Sequence, residues 1–425
     1  MESVNDRLLL RKVTLRLIPF LFLLYIIAYL DRVNVGFAKL HMQKALGFSD
    51  TVYGTGAGIF FLGYFLFEVP SNLILERVGA RRWIARIMIT WGIIASCMMF
   101  TNSVTMFYIM RFLLGLGEAG FFPGMILYLT YWYTTAERAR MIALFMSAIA
   151  FANIIGSPVS GFLVSIKGWG LAGWQWLFLL EGIPAFILGF VVLVYLPDSP
   201  RTARWLKPEE RDRLLERLEA EHDKKRDHSH TSLKGALRQT AVWQLCAIYF
   251  SLNVGSYGIN MWLPQIVKDF GKLSDVQIGF ITALPYIAGA IGLLINGTHS
   301  DKTQERRLHV TFAAVFGAVG LMLSALNSEP VARLLFLSMA QMGLMAMLAP
   351  FWTLPSSFLV GAAAAGGIAF INSVGNLGGF VGPFIMGWLK DTTHSFQTPL
   401  LTLAGVLFVG SLITYSLRVR TTPPQ

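Results

Sequence analysis

Charge is what this chain has least of. Asp, Glu, Lys and Arg make up 14% of its 425 residues, where an average soluble domain carries about 25%. Cysteine is nearly missing as well. Cys97 and Cys246 both stand inside apolar runs, which argues against a disulfide framework. There is no His/Asp/Cys cluster with metal-ligand spacing and no nucleophile elbow, so neither a metal nor another cofactor is expected. His222, His228 and His230 fall in a strongly polar run without cysteine or fixed spacing and are read as solvated. No short apolar core with a small-residue cleavage site opens the chain. MESVNDRLLLRKVTLR leads directly into a full-length apolar span, which is expected to act as its own insertion signal.

What fills the space is hydrophobic residue, 55% of the chain, with a mean hydropathy of +0.57. It is distributed in twelve segments, near 15–38, 52–75, 83–101, 104–131, 140–164, 174–196, 241–267, 276–298, 308–327, 331–355, 360–388 and 398–417. Segments of about 20 residues are what a helix needs to cross a bilayer. The expected fold class is therefore an all-α integral membrane protein of twelve transmembrane helices. A net charge of +11 would suggest nucleic acid in a soluble protein, but here its distribution sets topology. With the N-terminus cytoplasmic, 26 of the 35 Lys and Arg fall on the inner side, as the positive-inside rule requires. The expectation is a multi-pass protein of the cell's inner membrane with both termini cytoplasmic, embedded in lipid, with no nucleic-acid partner.

The longest polar stretch, 197–240, divides the chain into an N-terminal six-helix lobe (1–196) and a C-terminal six-helix lobe (241–425). Within it, Pro208 followed by Glu209 and Glu210 reads as a helix start, and Leu214, Leu215 and Leu218 give that helix a narrow apolar stripe. The lobes are copies of one another. Glu76, Arg77, Arg81 and Arg82 after the second span match Asp301, Lys302, Arg306 and Arg307 after the eighth at a constant offset of 225, and Pro158 maps onto Pro383 at the same offset. Five matches at one offset indicate a duplicated unit of the kind that builds two-lobed transporters with a midplane site. The two charged motifs are expected to form a conformational latch at the cytoplasmic helix ends, broken and remade as the lobes rock. Glu68, toward the inner end of span 2, is grouped with that latch.

Four ionisable residues stand where lipid should be: Asp31 and Arg32 in the first span, Arg111 and Glu118 in the fourth. Each costs roughly 2.5–3.5 kcal/mol at a bilayer centre, so a chain with no use for them would carry leucine. Rise per residue places Asp31 and Arg32 roughly 24–26 Å from the inner edge, Arg111 roughly 30 Å and Glu118 roughly 20 Å. Asp31 is thus expected to pair with Arg111, leaving Arg32 for an anionic substrate that matches the guanidinium fork. Glu118, in a low-dielectric site, is expected to carry a proton near neutral pH, so Asp31, Glu118 and Arg111 form the proton-coupling set. Tyr29, Tyr64, Asn153, Asn260, Asn372 and Asn376 lie at comparable depth and are expected to line the substrate cavity with Arg32. Span 10 has Phe336 and Gly343 at the positions equivalent to Arg111 and Glu118, which confines proton handling to the first lobe. Glu181 in span 6 is a further intramembrane acid for which the sequence indicates no partner.

Two motifs mislead. GLGEAG (Gly115, Gly117, Gly120) satisfies a dinucleotide fingerprint but follows no strand and lies inside a membrane span. Asn296-Gly-Thr298 matches a glycosylation acceptor but sits at a cytoplasmic helix end.

YLDRVNVGFA in span 1, RFLLGLGEAGFFPG in span 4, LPDSPRTARWL at the start of the central loop and INSVGNLGGFVGP in span 11 resemble the anion:cation symporter family of the major facilitator superfamily, over essentially the whole chain. The resemblance implies a two-lobed fold working by alternating access and coupling an organic anion to protons, with known cargoes such as tartrate, sugar acids, phthalate or nicotinate. It implies proton-coupling acids at Asp31 and Glu118, a substrate-facing arginine at Arg32, a pairing arginine at Arg111, and substrate contacts at Tyr29, Tyr64 and Asn376. Glu76 stands where many members of the superfamily have Asp. The expected function is proton-coupled import of a small organic carboxylate by a protein for which a monomer suffices. A sodium-coupled or exchange-type carrier is the alternative within transport, and an integral membrane enzyme or receptor the alternative outside it.

Overall fold

The structure, a computed structural model, describes residues 4–226, 238–355 and 362–417. These are helical except for turns and one isolated bridge between Gly168 and Leu171. The first half contains α1 (Val4–Leu46), α2 (Asp50–Val78), α3 (Ala80–Cys97), α4 (Val104–Glu118), α5 (Phe121–Thr130), α6 (Thr135–Val164) and α7 (Gly173–Tyr195). The linker carries α8 (Pro208–Arg226). The second half contains α9 (Thr240–Asn260), α10 (Leu263–Lys268), α11 (Asp275–Thr303), α12 (Arg307–Leu326), α13 (Pro330–Thr353), α14 (Ala362–Asn376), α15 (Gly378–Thr393) and α16 (Gln397–Ser416). Joining α4 to α5, α9 to α10 and α14 to α15 gives twelve spans, six to each half. Of the segments involved, 11 are long and apolar enough to cross a membrane on composition alone. The remaining one is α9, whose apolar character is interrupted by Tyr249, Asn253, Ser256, Tyr257 and Asn260, all turned toward an internal cavity.

The duplication is visible in the helices. α2 and α11 each run 29 residues, and each starts behind a serine (Ser49 or Ser274) whose hydroxyl caps the first turn by accepting a backbone N–H. Each half is thus built on the same helix start, separated by the offset that relates the charged motifs.

The halves meet where α2 packs on α15 and α6 on α11, and glycine makes both seams possible. A Cβ on Gly54 would lie 2.3 Å from the Pro383 carbonyl oxygen, and one on Gly161 would lie 2.6 Å from that of Asp275. Between helices in lipid, such close approach replaces the hydrophobic drive that water would supply.

Polar contacts between the halves gather at the end of the bundle remote from the chain termini. There Asp391 on α15 accepts the Asp50 and Thr51 N–H groups at 3.0 and 2.7 Å, capping α2 from the opposite half. His41 meets Asp275 at 2.9 Å, Lys268 Nζ donates to the Leu40 carbonyl at 2.8 Å, and the Tyr53 hydroxyl donates to that of Met261 at 2.8 Å. At the end that carries the termini, beyond the depth of Glu68, hydrogen bonds and ion pairs between described residues stay within a half or bind the linker.

The expected surface helix is α8. It is strapped to the first half by Lys12–Glu210 at 2.6 Å, Arg213–Asp6 at 2.7 Å and Arg217–Glu137 at 2.5 Å, with Leu214 buried beneath it. Hydrogen bonds from Lys12 and from the Lys207 N–H hold the Glu210 carboxyl below its usual range. A depressed carboxyl contributes stability above its unfolded value and loses it only as pH falls through the folded one. Limited proteolysis of the linker is therefore expected to stay slow in mild acid and to accelerate only below the ordinary glutamate range, and Glu210→Gln is expected to show the fast pattern at neutral pH.

Candidate functional site

Three spans break at membrane depth, and each break ends on a candidate residue. α4 stops at Glu118, α9 at Asn260 and α14 at Asn376. The break after Glu118 is made by Gly120, whose φ of +85° suits glycine, and where a Cβ would come within 2.2 Å of Ser71 Oγ. The sequence reading of GLGEAG as an uninterrupted helical stretch is corrected accordingly. Irregular backbone at this depth is tolerated where it lines a cavity or is buried in protein.

The cavity lies between the halves. Arg32, Tyr29, Tyr64, Asn153, Asn260, Asn372 and Asn376 all line it, together with Tyr25, Tyr249, Asn253, Tyr257, Gln341 and Trp352. Arg32 is its cation, with 11% of the side chain exposed. Its Nε and Nη2 both donate to Glu118 Oε1, at 2.8 and 2.5 Å, and Nη1 reaches the Tyr257 hydroxyl at 3.3 Å. The rings of Tyr29, Phe60 and Tyr64 stand 5.7, 5.6 and 5.3 Å from the guanidinium carbon, within cation–π range. Among the described residues Glu118 Oε2 has no donor, and neither do Asn153 Oδ1 and Asn260 Oδ1.

The expected Asp31–Arg111 pair does not form. Arg111 instead donates to the Gly56 and Ala57 carbonyls at 3.2 and 3.1 Å. Gly56 allows this, since its missing side chain lets the Phe107 ring lie against α2, where a Cβ would be 2.0 Å away, and Arg111 follows one turn later. Asp31 accepts from Trp91 Nε1 at 2.5 Å and from Asn34 Nδ2 at 3.1 Å.

The two charged motifs do not reach across the halves in this conformation. Arg81 lies against Asp198, which accepts its backbone N–H at 2.9 Å, and Asp301 pairs with Arg306 in its own motif at 2.6 Å. Arg307 donates to the Leu417 carbonyl at 3.2 Å. Glu76, Arg77, Arg82 and Lys302 have no hydrogen bond or ion pair among the described residues. Glu68 is separate from all of these. It is 4% exposed and accepts from Asn372 Nδ2 at 2.7 Å and Ser373 Oγ at 3.0 Å, both from the other half.

Sequence reasoning did not single out Tyr249, Asn253 and Tyr257 for the cavity. Their signal was the spacing of polar residues along α9, which turns one face of that helix inward. Gln341, a lone amide in an apolar span, was the comparable signal on α13.

A twelve-span bundle of two related halves around a central polar cavity defines a multi-pass membrane transporter. The sequence matches the Major Facilitator Superfamily over residues 21–383, and the chain belongs to that family: it is a transporter of organic substrates, not an enzyme. A protein of Agrobacterium vitis named "Putative tartrate transporter" is 51% identical, over 100% of this chain and 97% of its own length. The "Quinolone resistance transporter" of Acinetobacter baumannii is 45% identical over 96% of this chain and 94% of its own. The Pseudomonas putida protein named "Putative metabolite transport protein NicT" is 43% identical over 97% and 95%. Among solved structures, a bacterial homologue of the lysosomal transporter Spinster superposes with a TM-score of 0.77 at 14% identity, covering 94% of this chain and 95% of that one. The D-xylose–proton symporter gives 0.73 at 16%, covering 95% and 97%. These two share the fold.

Replacing Glu68 with Ala strands two buried donors of the opposite half, at about 1–3 kcal/mol for each unsatisfied group. Glu68→Ala is expected to lower the thermal unfolding midpoint of the purified protein, while Glu68→Gln, which keeps an acceptor, retains most of it.

Proposed function

We propose that this protein is a proton-coupled importer of a small organic carboxylate in a bacterial inner membrane, a member of the anion:cation symporter branch of its superfamily. The observation that carries the reading is the Arg32–Glu118 pair at the cavity wall. Two of the three guanidinium nitrogens, Nε and Nη2, are spent on one carboxylate oxygen, and the other oxygen has no donor among the described residues. A carboxylate cargo offers Arg32 the same chemistry that Glu118 does, so one guanidinium serves either acid. Protonating Glu118 frees the fork for cargo. When cargo leaves, Glu118 gives up its proton and takes Arg32 back. Coupling follows from that competition, with Asp31 and Arg111 as further members of the charged set.

The remaining lining suits a polar acid with some bulk: amides at Asn153, Asn260, Asn372 and Asn376 for hydroxyl or carboxyl oxygens, and tyrosine rings at Tyr29 and Tyr64 for its carbon face. The printed names of the relatives, tartrate above all, support a hydroxy-acid or sugar-acid cargo. With both termini cytoplasmic, the clasp at the far end closes the outer side, and the conformation is inward-facing. The lobes 1–196 and 241–425 are the rocking bodies, 197–240 is their tether, and Glu76, Arg77, Arg81, Arg82, Asp301, Lys302, Arg306 and Arg307 form the latch that joins them when the inner side closes. One chain contains the whole device, so a monomer suffices.

The test is uptake by the purified protein in proteoliposomes, after a thermal-shift screen against hydroxy acids, sugar acids and aromatic carboxylates. Acid outside is expected to accelerate uptake. Glu118→Gln is expected to bind cargo yet lose the pH dependence, and Arg32→Lys, which loses the two-point fork, to bind at least about 10-fold more weakly. Uptake that requires sodium and ignores pH overturns the proton reading. Asp391→Asn weakens the cap on α2, and a cysteine placed at the outer mouth is then expected to label faster than in the parent protein.

A further inference from the structure

Glu181 has no part in that cycle, yet it lies in the interior of α7 with 4% of its surface exposed, where an idle acid is only a cost. It accepts a hydrogen bond from Ser160 Oγ on α6 at 2.7 Å, and the Asn34 amide of α1 faces it. The same amide donates to Asp31 at 3.1 Å. Two buried carboxyl groups therefore share one amide. Glu181 Oε2 has no hydrogen-bond partner among the described residues.

The charged groups that face this cluster are few. From α4 come Arg111 and Glu118, which act on Asp31. Arg111 spends its hydrogen bonds on the Gly56 and Ala57 carbonyls, and Arg32 of α1 spends its own on Glu118 and Tyr257. α3 and α6 present Trp91 and Ser160, which carry no charge. No cation among the described residues lies within ion-pair distance of Asp31 or Glu181.

Charge counting then decides the matter. At membrane depth the acids are Asp31, Glu68, Glu118 and Glu181, and the bases are Arg32 and Arg111. Uncompensated charge in a low-dielectric interior is far more costly than the neutral form of the same group, and two carboxyls sharing a site do not both ionise. Glu68 has a donor on each oxygen, whereas Glu181 keeps one oxygen bare. An O–H on that oxygen removes the surplus charge and turns a stranded acceptor into a donor.

We propose that Asp31, Asn34 and Glu181 form a second proton-binding site, set behind the cavity wall, in which one proton is held between the two carboxyl groups and rests on Glu181. Binding consists of one O–H bond formed on a carboxylate oxygen with a proton taken from water; nothing is oxidised or reduced. The site deepens the proton-coupled reading and rests on it for its part in transport: with the proton on Glu181, Asp31 stays ionised beside Trp91, and the pair is poised to pass a proton along the first half.

Infrared spectroscopy of the full-length protein in lipid nanodiscs reads the site directly, in the carboxylic-acid C=O stretching region across neutral pH. The wild type is expected to show a buried protonated-carboxyl band, and Glu181→Gln to lose a component of it. Ser160→Ala keeps the carboxyl but removes its donor, and is expected to shift that component upward in frequency, which provides a reading if Glu181→Gln fails to fold. A band unchanged in Glu181→Gln, or unmoved in Ser160→Ala, overturns the proposal. Failure of the underlying reading looks different: wild-type uptake that ignores pH removes proton coupling while the infrared band and its loss still stand.

Discussion

A charge inside a lipid-embedded bundle must be compensated within the bundle, by a counterion or by hydrogen bonds, and Arg32 finds Glu118. Removing one member of a buried pair of this kind costs about 3–5 kcal/mol, because the survivor is left uncompensated. That penalty is what makes the pair useful. In the proposed cycle Arg32 is held by one acid or another at all times, so a carboxylate cargo competes with Glu118 on equal chemical terms. The aromatic rings of Tyr29, Phe60 and Tyr64 around the guanidinium contribute no competing carboxylate and keep bulk water thin, which strengthens every electrostatic term inside.

Backbone irregularity puts the groups there. Continuous helices satisfy their own N–H and C=O groups and offer a cavity only side chains. Ending α4 at Glu118, α9 at Asn260 and α14 at Asn376 brings helix ends and polar side chains to the cavity. Gly120, in the left-handed region, is the residue that lets span 4 stop and restart, and Ser71 fills the place its side chain would take. Glycine serves both purposes at different positions, Gly120 at the break and Gly54 and Gly161 at the seams, so the seam and the site draw on one composition.

Much of this was legible beforehand, for identifiable reasons. Spans are read from hydropathy over some twenty residues, a signal that survives local error, and the duplicated helix start at Ser49 and Ser274 follows from an offset already visible in the charged motifs. Charged residues in lipid announce themselves, so Asp31, Arg32, Arg111 and Glu118 were readable as a set. Their pairing was not. Depth estimates assume straight spans from a common inner edge, whereas span 4 breaks at Gly120 and α1 carries Pro19 in a 43-residue helix. The partners of Glu68 were not readable, because its donors lie 304 and 305 residues away in the other half and no internal offset relates them. The seventh span was found despite its weak hydropathy, but the cavity role of Tyr249, Asn253 and Tyr257, which causes that weakness, was missed.

The duplication also explains why the cation is single. Arg32 and Tyr257 are 225 residues apart, the repeat offset itself, and they touch at 3.3 Å. Equivalent positions of the two copies therefore face each other across the pseudo-symmetry axis. Two guanidiniums at that distance would repel in a low dielectric with one acid to share, so one copy keeps the charge and the other supplies a neutral hydroxyl. A group near the axis also moves least when the halves rock. In the proposed cycle the far-end clasp and the terminal-end motifs exchange places as the closed side, while Arg32 stays put and access to it changes. The asymmetry of charge between the copies and the near-symmetry of their helices are thus consequences of one arrangement, a fixed cation on the axis of a moving pair.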